Sequence, residues 1–201
     1  ERSRGLGDVY KRQEYDYLLN SNRQMDLLHK RFIVFELDNI SENRTLLPVV
    51  TIIIMETFLA KMRRLQGVRK VLLLEEAWKA IAKEGMASYV KYLYKTVRKY
   101  FGEAIVVTQE VEDIISSPIV KESIINNADC KILLDQRKYR NKFDQIQTLL
   151  GLTDKERAQV LSINLSNDPA RRYKEVFISL GGVQSAVYAT EVSDEEYLVR
   201  P

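Results

Sequence analysis

The sequence predicts an α/β domain built around a mostly parallel sheet. Short, continuous apolar runs suit buried strands, and helix-patterned segments alternate with them along the chain. Strands that are apolar on both faces and alternate with helices are typical of parallel sheets covered by helices. The 201 residues are 45% hydrophobic and 29% charged, which is enough apolar material for one ordinary core.

The first predicted strand is the apolar run at residues 31–38, and a polar loop follows it. A helix is predicted at 46–65, because apolar residues occupy nearly every face there. Pro48 is tolerated in the first turn of that helix, and Gly67 lies just past its end. We expect this helix to be buried on most sides.

Three further apolar runs predict strands: 71–74, 104–107 and 130–134. Helix formers occupy 75–83 up to Gly85, and apolar residues then recur every three or four positions from Met86 to Phe101, before Gly102. Another helix is predicted at 118–126. Cys130 opens the last of these strands, so its thiol is expected to be buried and inert.

Two local patterns organise the end of the chain. Thr153 and Glu156 have the spacing of a capping box and predict the start of a short helix. The runs 173–180 and 183–190 flank Gly181-Gly182, and two glycines supply the positive φ values that a two-residue hairpin turn needs. The chain is therefore expected to finish as a β-hairpin.

Composition restricts the setting and the domain limits. The net charge of +3 falls short of a dedicated nucleic-acid binder, so contact with DNA is permitted but not indicated. A single cysteine suits a reducing cytoplasm, and no apolar run is long enough to cross a bilayer. Residues 1–13 lack a hydrophobic period and are interpreted as a disordered or artefactual tail, which leaves 14–201 as the folded part.

The densest chemical signal is the segment 71–78, where two carboxylates follow a buried strand. Open α/β sheets bind ligands at the carboxyl ends of their strands. Glu75 is placed to hold nucleotide-bound Mg²⁺, and Glu76 is placed to polarise the water that attacks the γ-phosphate. The alternative is that a helix begins here and that acidic residues stabilise its first turn.

Two more candidates lie near the third strand. Thr108 and Gln109 follow it, and either could hydrogen-bond a water or a phosphate oxygen, unless both are simply turn residues. Because parallel strands end at the same edge, these side chains should lie beside the acids. Arg98, on the preceding helix, is a candidate arginine finger acting across a subunit boundary, with a solvated basic face as the alternative.

No glycine is followed by lysine, so the 201 residues contain no G-x-x-x-x-G-K-[ST] loop to cradle phosphates. From about residue 24 onward, however, the chain resembles TraG/VirB-type conjugation ATPases of the HerA-FtsK superfamily. Five ordered segments carry the resemblance: RFIVFELD, VLLLEEAWKAI, TVRKYFGEAIVVTQEVEDI, INNADCKILLDQ and FISLGG with QSAVYATEVSDEEYL. The resemblance implies a RecA-like P-loop NTPase fold with helices on both sheet faces.

The same resemblance implies a cytoplasmic ATPase that uses ATP and Mg²⁺ and forms a ring, by analogy a hexamer. It would dock on the inner-membrane part of a type IV secretion channel and on coupling proteins. Glu75 replaces the usual aspartate, which bears on Mg²⁺ geometry. The 201 residues alone are expected to be inactive. Two alternatives stay open: a non-catalytic docking module, and a HerA/FtsK-like DNA-translocating motor, which would show salt-dependent DNA affinity.

Overall fold

The computed structural model describes residues 26–75, 84–109, 124–165, 173–191 and 193–198. The chain divides into two units, Glu1–Glu36 and Leu37–Pro201. The predicted tail at 1–13 lies outside the described residues. So do most of the two helices predicted at 75–83 and 118–126.

The strand predicted at 31–38 is wrong. Residues 32–37 have no regular structure, and Asp38–Ile40 forms one turn of 3-10 helix. Phe32 is 85% exposed, although it lies in the middle of the apolar run. An apolar run forms a strand only where a neighbouring strand accepts its backbone hydrogen bonds, and composition does not reveal whether such a partner exists.

The described part of the second unit contains five helices and five strands. In chain order they are α1 (Leu46–Arg64), β1 (Lys70–Glu75), α2 (Glu84–Thr96), β2 (Gly102–Val107), β3 (Cys130–Leu133), α3 (Phe143–Leu150), α4 (Asp154–Ser162), β4 (Tyr173–Leu180), β5 (Gln184–Glu191) and α5 (Asp194–Leu198). Turns of 3-10 helix at Val97–Tyr100 and Arg137–Lys142 precede β2 and α3.

Helix α1 confirms the predicted helix at 46–65. The Asn43 side-chain oxygen accepts hydrogen bonds from the backbone amides of Thr45 and Leu46, which satisfies donors at its first turn. Its inner face is buried through eight residues: Leu46, Leu47, Thr51, Ile54, Met55, Phe58, Leu59 and Met62. Burial covers one side and not most sides, since Val49, Ile52 and Ile53 on the other side are exposed.

Strands β1 and β2 form a parallel pair, in register from Lys70 opposite Gly102 to Glu75 opposite Val107. One face of the pair packs against α1 and α2 in a core that includes Met55, Leu72, Leu74, Val90, Tyr94, Ala104 and Val106. The other face leaves four apolar side chains exposed: Val71, Leu73, Ile105 and Val107. Packing against α1 and α2 therefore holds both strands in place through one face of the pair.

The remaining strands form an antiparallel sheet in the order β3-β4-β5. The predicted hairpin is confirmed, and Gly181 and Gly182 have φ values of 56° and 70°. The loop has three residues instead of two, because Leu180 pairs with Gln184 and leaves Val183 outside the ladder. Cys130 is exposed, contrary to expectation, because β3 alternates between exposed and half-buried positions.

Helices α3 and α4 cover the antiparallel sheet with a second core, built from Phe143, Ile146, Leu152, Val160, Ile163 and Phe177. The predicted capping box opens α4: Thr153 Oγ1 accepts from the Glu156 amide, and Glu156 Oε2 accepts from the Thr153 amide at 2.8 Å. Glu156 Oε1 also accepts from the Ser179 hydroxyl at 2.8 Å, which joins α4 to β4.

Candidate functional site

The carboxyl ends of β1 and β2 form one edge that carries several predicted site residues. Glu75 is the last residue of β1 and lies opposite Val107, the last residue of β2. Thr108 and Gln109 follow directly, so the prediction that the two strand ends lie together is confirmed. Glu75 and Gln109 are exposed and Thr108 is half-buried, so the edge is open to a ligand.

The structure adds Tyr139 to this edge. Its hydroxyl donates to the Gln109 main-chain oxygen at 3.4 Å, and its ring packs against the core of the antiparallel sheet. Tyr139 therefore links the end of β2 to the second sheet. Sequence reasoning missed it, because a tyrosine within a run of basic residues carries no periodic or spacing signal.

The segment before Tyr139 is also polar and ordered by local hydrogen bonds. The Arg137 side chain donates to both Asp135 carboxylate oxygens, at 3.0 and 2.8 Å, and these bonds hold the pKa of Asp135 below its ordinary value. Gln136 donates from Nε2 to the Leu134 carbonyl at 3.2 Å. Among the described side chains, Gln136 Oε1 is the buried acceptor that has no hydrogen-bond partner.

The donor set at the edge fits a magnesium ion that keeps water ligands. Mg²⁺ is usually held by one or two carboxylates together with waters and substrate phosphates, and not by a full protein cage. Glu75 offers a carboxylate donor of this kind, and the Thr108 hydroxyl can donate a hydrogen bond to a phosphate oxygen. Within the described ranges no group of three or more His, Cys, Asp or Glu side chains could hold a metal by itself.

Glu76, the predicted catalytic base, lies outside the described residues.

Arg98 lies at the other edge of the parallel pair. It precedes Gly102, the first residue of β2, whereas Glu75 is the last residue of β1. Six strand residues separate the two edges by roughly 17 Å. Arg98 pairs with Asp129 at 3.0 Å, and both side chains are exposed. The structure therefore does not bring Arg98 to Glu75 within one chain.

Comparison with protein families identifies the family to which the chain belongs. The TraG P-loop domain matches residues 4–200. The chain belongs to the TraG P-loop domain family. A search of curated proteins finds no significant match for the chain.

Comparison with solved structures supports the fold. VirB4 of Thermoanaerobacter pseudethanolicus matches with a TM-score of 0.58 and 22% identity, over 83% of this chain and 43% of that one. The chain is thus similar in fold to VirB4 and spans less than half of the length of that protein. The α/β, RecA-like class predicted from the sequence is confirmed.

Proposed function

We propose that the chain is part of an ATPase that powers conjugative DNA transfer through a type IV secretion machine. One observation carries this proposal. In a chain of a P-loop family, a strand ending in a carboxylate pairs in register with a strand followed by Thr108 and Gln109. The proposed domain spans 14–201, with 1–13 as a tail.

Each residue at the edge has a distinct role in the proposed reaction. Glu75 would hold a water-coordinated Mg²⁺ and Glu76 would accept a proton from the attacking water. The Thr108 hydroxyl would donate to a phosphate oxygen, and the Gln109 amide would orient the water. When bound, Mg²⁺ neutralises charge that develops on the phosphate oxygens.

Arg98 is proposed to act on the nucleotide of a neighbouring subunit. Its position at the opposite edge from Glu75 supports a role between copies over a role within one copy. We propose a homo-oligomeric ring, a hexamer by family resemblance, that docks on a secretion channel and on coupling proteins at the cytoplasmic side of the inner membrane. In the described parts of the chain, no helix combines the length and apolarity needed to span a membrane.

The proposal is tested by Glu76→Gln in the protein that includes its native upstream sequence. Removing a general base should lower ATP turnover by on the order of a hundredfold or more, while nucleotide binding stays unchanged because the amide keeps the size of the side chain. Steady-state ATPase rates and nucleotide titration measure the two effects. The matched control is Glu103→Gln, which removes a carboxylate paired with Arg69 near the start of β2. Equal turnover in Glu76→Gln and wild type would show that Glu76 is not the base.

A second candidate is a non-catalytic docking module of the same machine. It is favoured by one sequence observation, since the 201 residues contain no G-x-x-x-x-G-K-[ST] loop. Sequencing the native locus upstream of residue 14 distinguishes the two. A P-loop in the same frame supports the ATPase, and a native start codon at this point supports the docking module.

A further inference from the structure

A bulky aromatic side chain lies in an unfavourable backbone conformation at the surface. Phe101 follows the Val97–Tyr100 turn, has a φ of 54°, and is 69% exposed. A large residue with positive φ is uncommon, and an exposed phenylalanine gains nothing from burial. Strained backbone positions cluster at functional sites, so this residue is a candidate for one. We call the segment 98–101 the Phe101 turn.

Basic residues surround the Phe101 turn. Arg98 and Lys99 belong to it and are exposed. Arg98 pairs with Asp129, and the neighbouring Arg69 pairs with Glu103, so Lys99 supplies the net positive charge of this group. Arg69 lies beside the turn, because the next residue, Lys70, donates its amide to the Phe101 carbonyl at 3.0 Å. An exposed aromatic with an arginine-rich rim is the composition of a protein-binding surface, in which the apolar group anchors and the charges select.

A complementary surface occurs elsewhere on the same chain. The segment 191–198 contains four exposed acidic residues: Glu191, Asp194, Glu195 and Glu196. Helix α5 ends with Leu198, which is 82% exposed. The segment thus presents an apolar group next to negative charge, as the Phe101 turn presents an apolar group next to positive charge. We call 191–198 the acidic segment.

The two surfaces lie at opposite ends of the antiparallel hairpin. Asp129 pairs with Arg98 at 3.0 Å, and its carbonyl accepts from the Gly181 amide at 2.6 Å, so the hairpin tip lies beside the Phe101 turn. The acidic segment begins at the other end of the hairpin, where Glu191 pairs with Tyr173. Eight residues of strand separate the two ends by roughly 24 Å. Glu191, where the acidic segment begins, therefore lies far from the Phe101 turn of its own chain.

We infer that the acidic segment of one copy of this chain docks on the Phe101 turn of the next copy. Complementary surfaces at opposite ends of a molecule give head-to-tail association, which closes into a ring when the rotation permits. This inference rests on the oligomer of the proposed function and names the two surfaces that form it. ATP hydrolysis is not needed for the contact, so the two can be tested apart.

Charge reversal tests the contact. Sedimentation velocity of the 201-residue chain should show concentration-dependent association at about 0.05 M salt that weakens at about 0.5 M, because the Debye length shortens. Lys99→Glu or Glu195→Lys alone should weaken association about tenfold each. The chain carrying both changes should associate like wild type, because the charges are exchanged and not lost.

Mixing the two single variants tests the head-to-tail geometry. The Glu195 of the Lys99→Glu chain can pair with the Lys99 of the Glu195→Lys chain, and the two substituted positions also carry opposite charges. The mixture should therefore recover the association that each variant loses alone, and in a head-to-tail arrangement it should continue beyond a dimer. A mixture that associates no better than either variant alone, or that stops at a dimer, would overturn the proposed geometry.

The apolar anchor has its own test. Phe101→Asn keeps a residue that tolerates positive φ and removes the ring, so the fold should stay intact while association weakens. The matched control is Phe32→Asn, which removes another exposed ring and should leave association unchanged.

Four results would overturn the inference. The wild-type chain could stay monomeric, or its association could be unaffected by Lys99→Glu, Glu195→Lys and Phe101→Asn. The double variant could fail to recover association, or Lys99→Glu could abolish binding of a DNA fragment while association persists. None of these concerns Glu76, so the loss of this contact leaves the ATPase proposal standing. Equally, an active Glu76→Gln variant leaves the contact standing.

Discussion

Gly102 is the position at which a single added methyl group should be most informative. It is the first residue of β2, and a Cβ there would lie 2.6 Å from Val97 Cγ2, 3.1 Å from the Val97 carbonyl oxygen and 3.4 Å from Met62 Sδ. Carbon atoms in contact prefer about 3.5–4.0 Å, so the overlap with Val97 is about 1 Å. Val97 is 5% exposed and Met62 1%, so neither side chain can swing into solvent.

Gly102→Ala should therefore lower the free energy of unfolding by about 2 kcal/mol, the usual cost of overpacking a core. Val97 is β-branched and has few alternative rotamers, so the clash with a Cβ at position 102 is relieved only when its methyl groups are removed. Val97→Ala alone should cost about 1–2 kcal/mol through lost burial, and the double variant should be about 1 kcal/mol more stable than the sum of the single effects predicts.

Urea denaturation of wild type, Gly102→Ala, Val97→Ala and the double variant measures these free energies of unfolding. Gly151→Ala is the matched control: its φ is 64° and its Cβ would meet nothing within 4 Å, so its cost comes from the backbone alone and should add to that of Val97→Ala. Strict additivity of Gly102→Ala with Val97→Ala, or a Gly102→Ala protein as stable as wild type, would refute the steric reasoning.

Two further predictions concern the antiparallel sheet and its helix. Burial raises the pKa of Glu156, but hydrogen bonds from Thr153 and Ser179 outweigh it and the net shift is downward. Its stabilisation is therefore present above the unfolded-state pKa of about 4.3 and is lost as the pH falls through the lower folded-state pKa. Glu156→Gln should cost about 1–2 kcal/mol at pH 7, and urea titrations repeated at lower pH should show this difference shrinking; a constant difference would contradict the role of the charge. Gly181→Ala should cost about 1 kcal/mol because of its positive φ, and Gly181→Asn should cost less, as thermal melts of both variants will show; equal losses would point away from the backbone as the cause.

Local signals predicted much of this fold. Continuous apolar runs located β1 and β2, and their parallel pairing followed from the helices between them. The spacing of Thr153 and Glu156 located the start of α4, and the paired glycines located the hairpin. In each case the signal and the structure lie within a few residues of one another.

Features that depend on distant partners were not predictable. The run at 31–38 has the composition of a strand, but its backbone pairing depends on residues far away in the chain. Tyr139 reaches Gln109 across thirty positions, and Arg98 reaches Asp129 across thirty-one. A single sequence carries no record of such contacts, so the partners at both edges of β2 came only from the structure.

The two cores have a consequence for how the chain is made. The core of the parallel pair draws on α1, β1, α2, β2 and Ile124, whereas the core of the antiparallel sheet draws on residues from 133 onward. A ribosome releases the first set before the second is synthesised, and segments that are contiguous in sequence fold as units in the order of their synthesis. We expect the parallel pair to be compact while the antiparallel sheet is still being translated. The nascent chain would then present the edge with Glu75 before Tyr139, which contacts the end of β2, has packed.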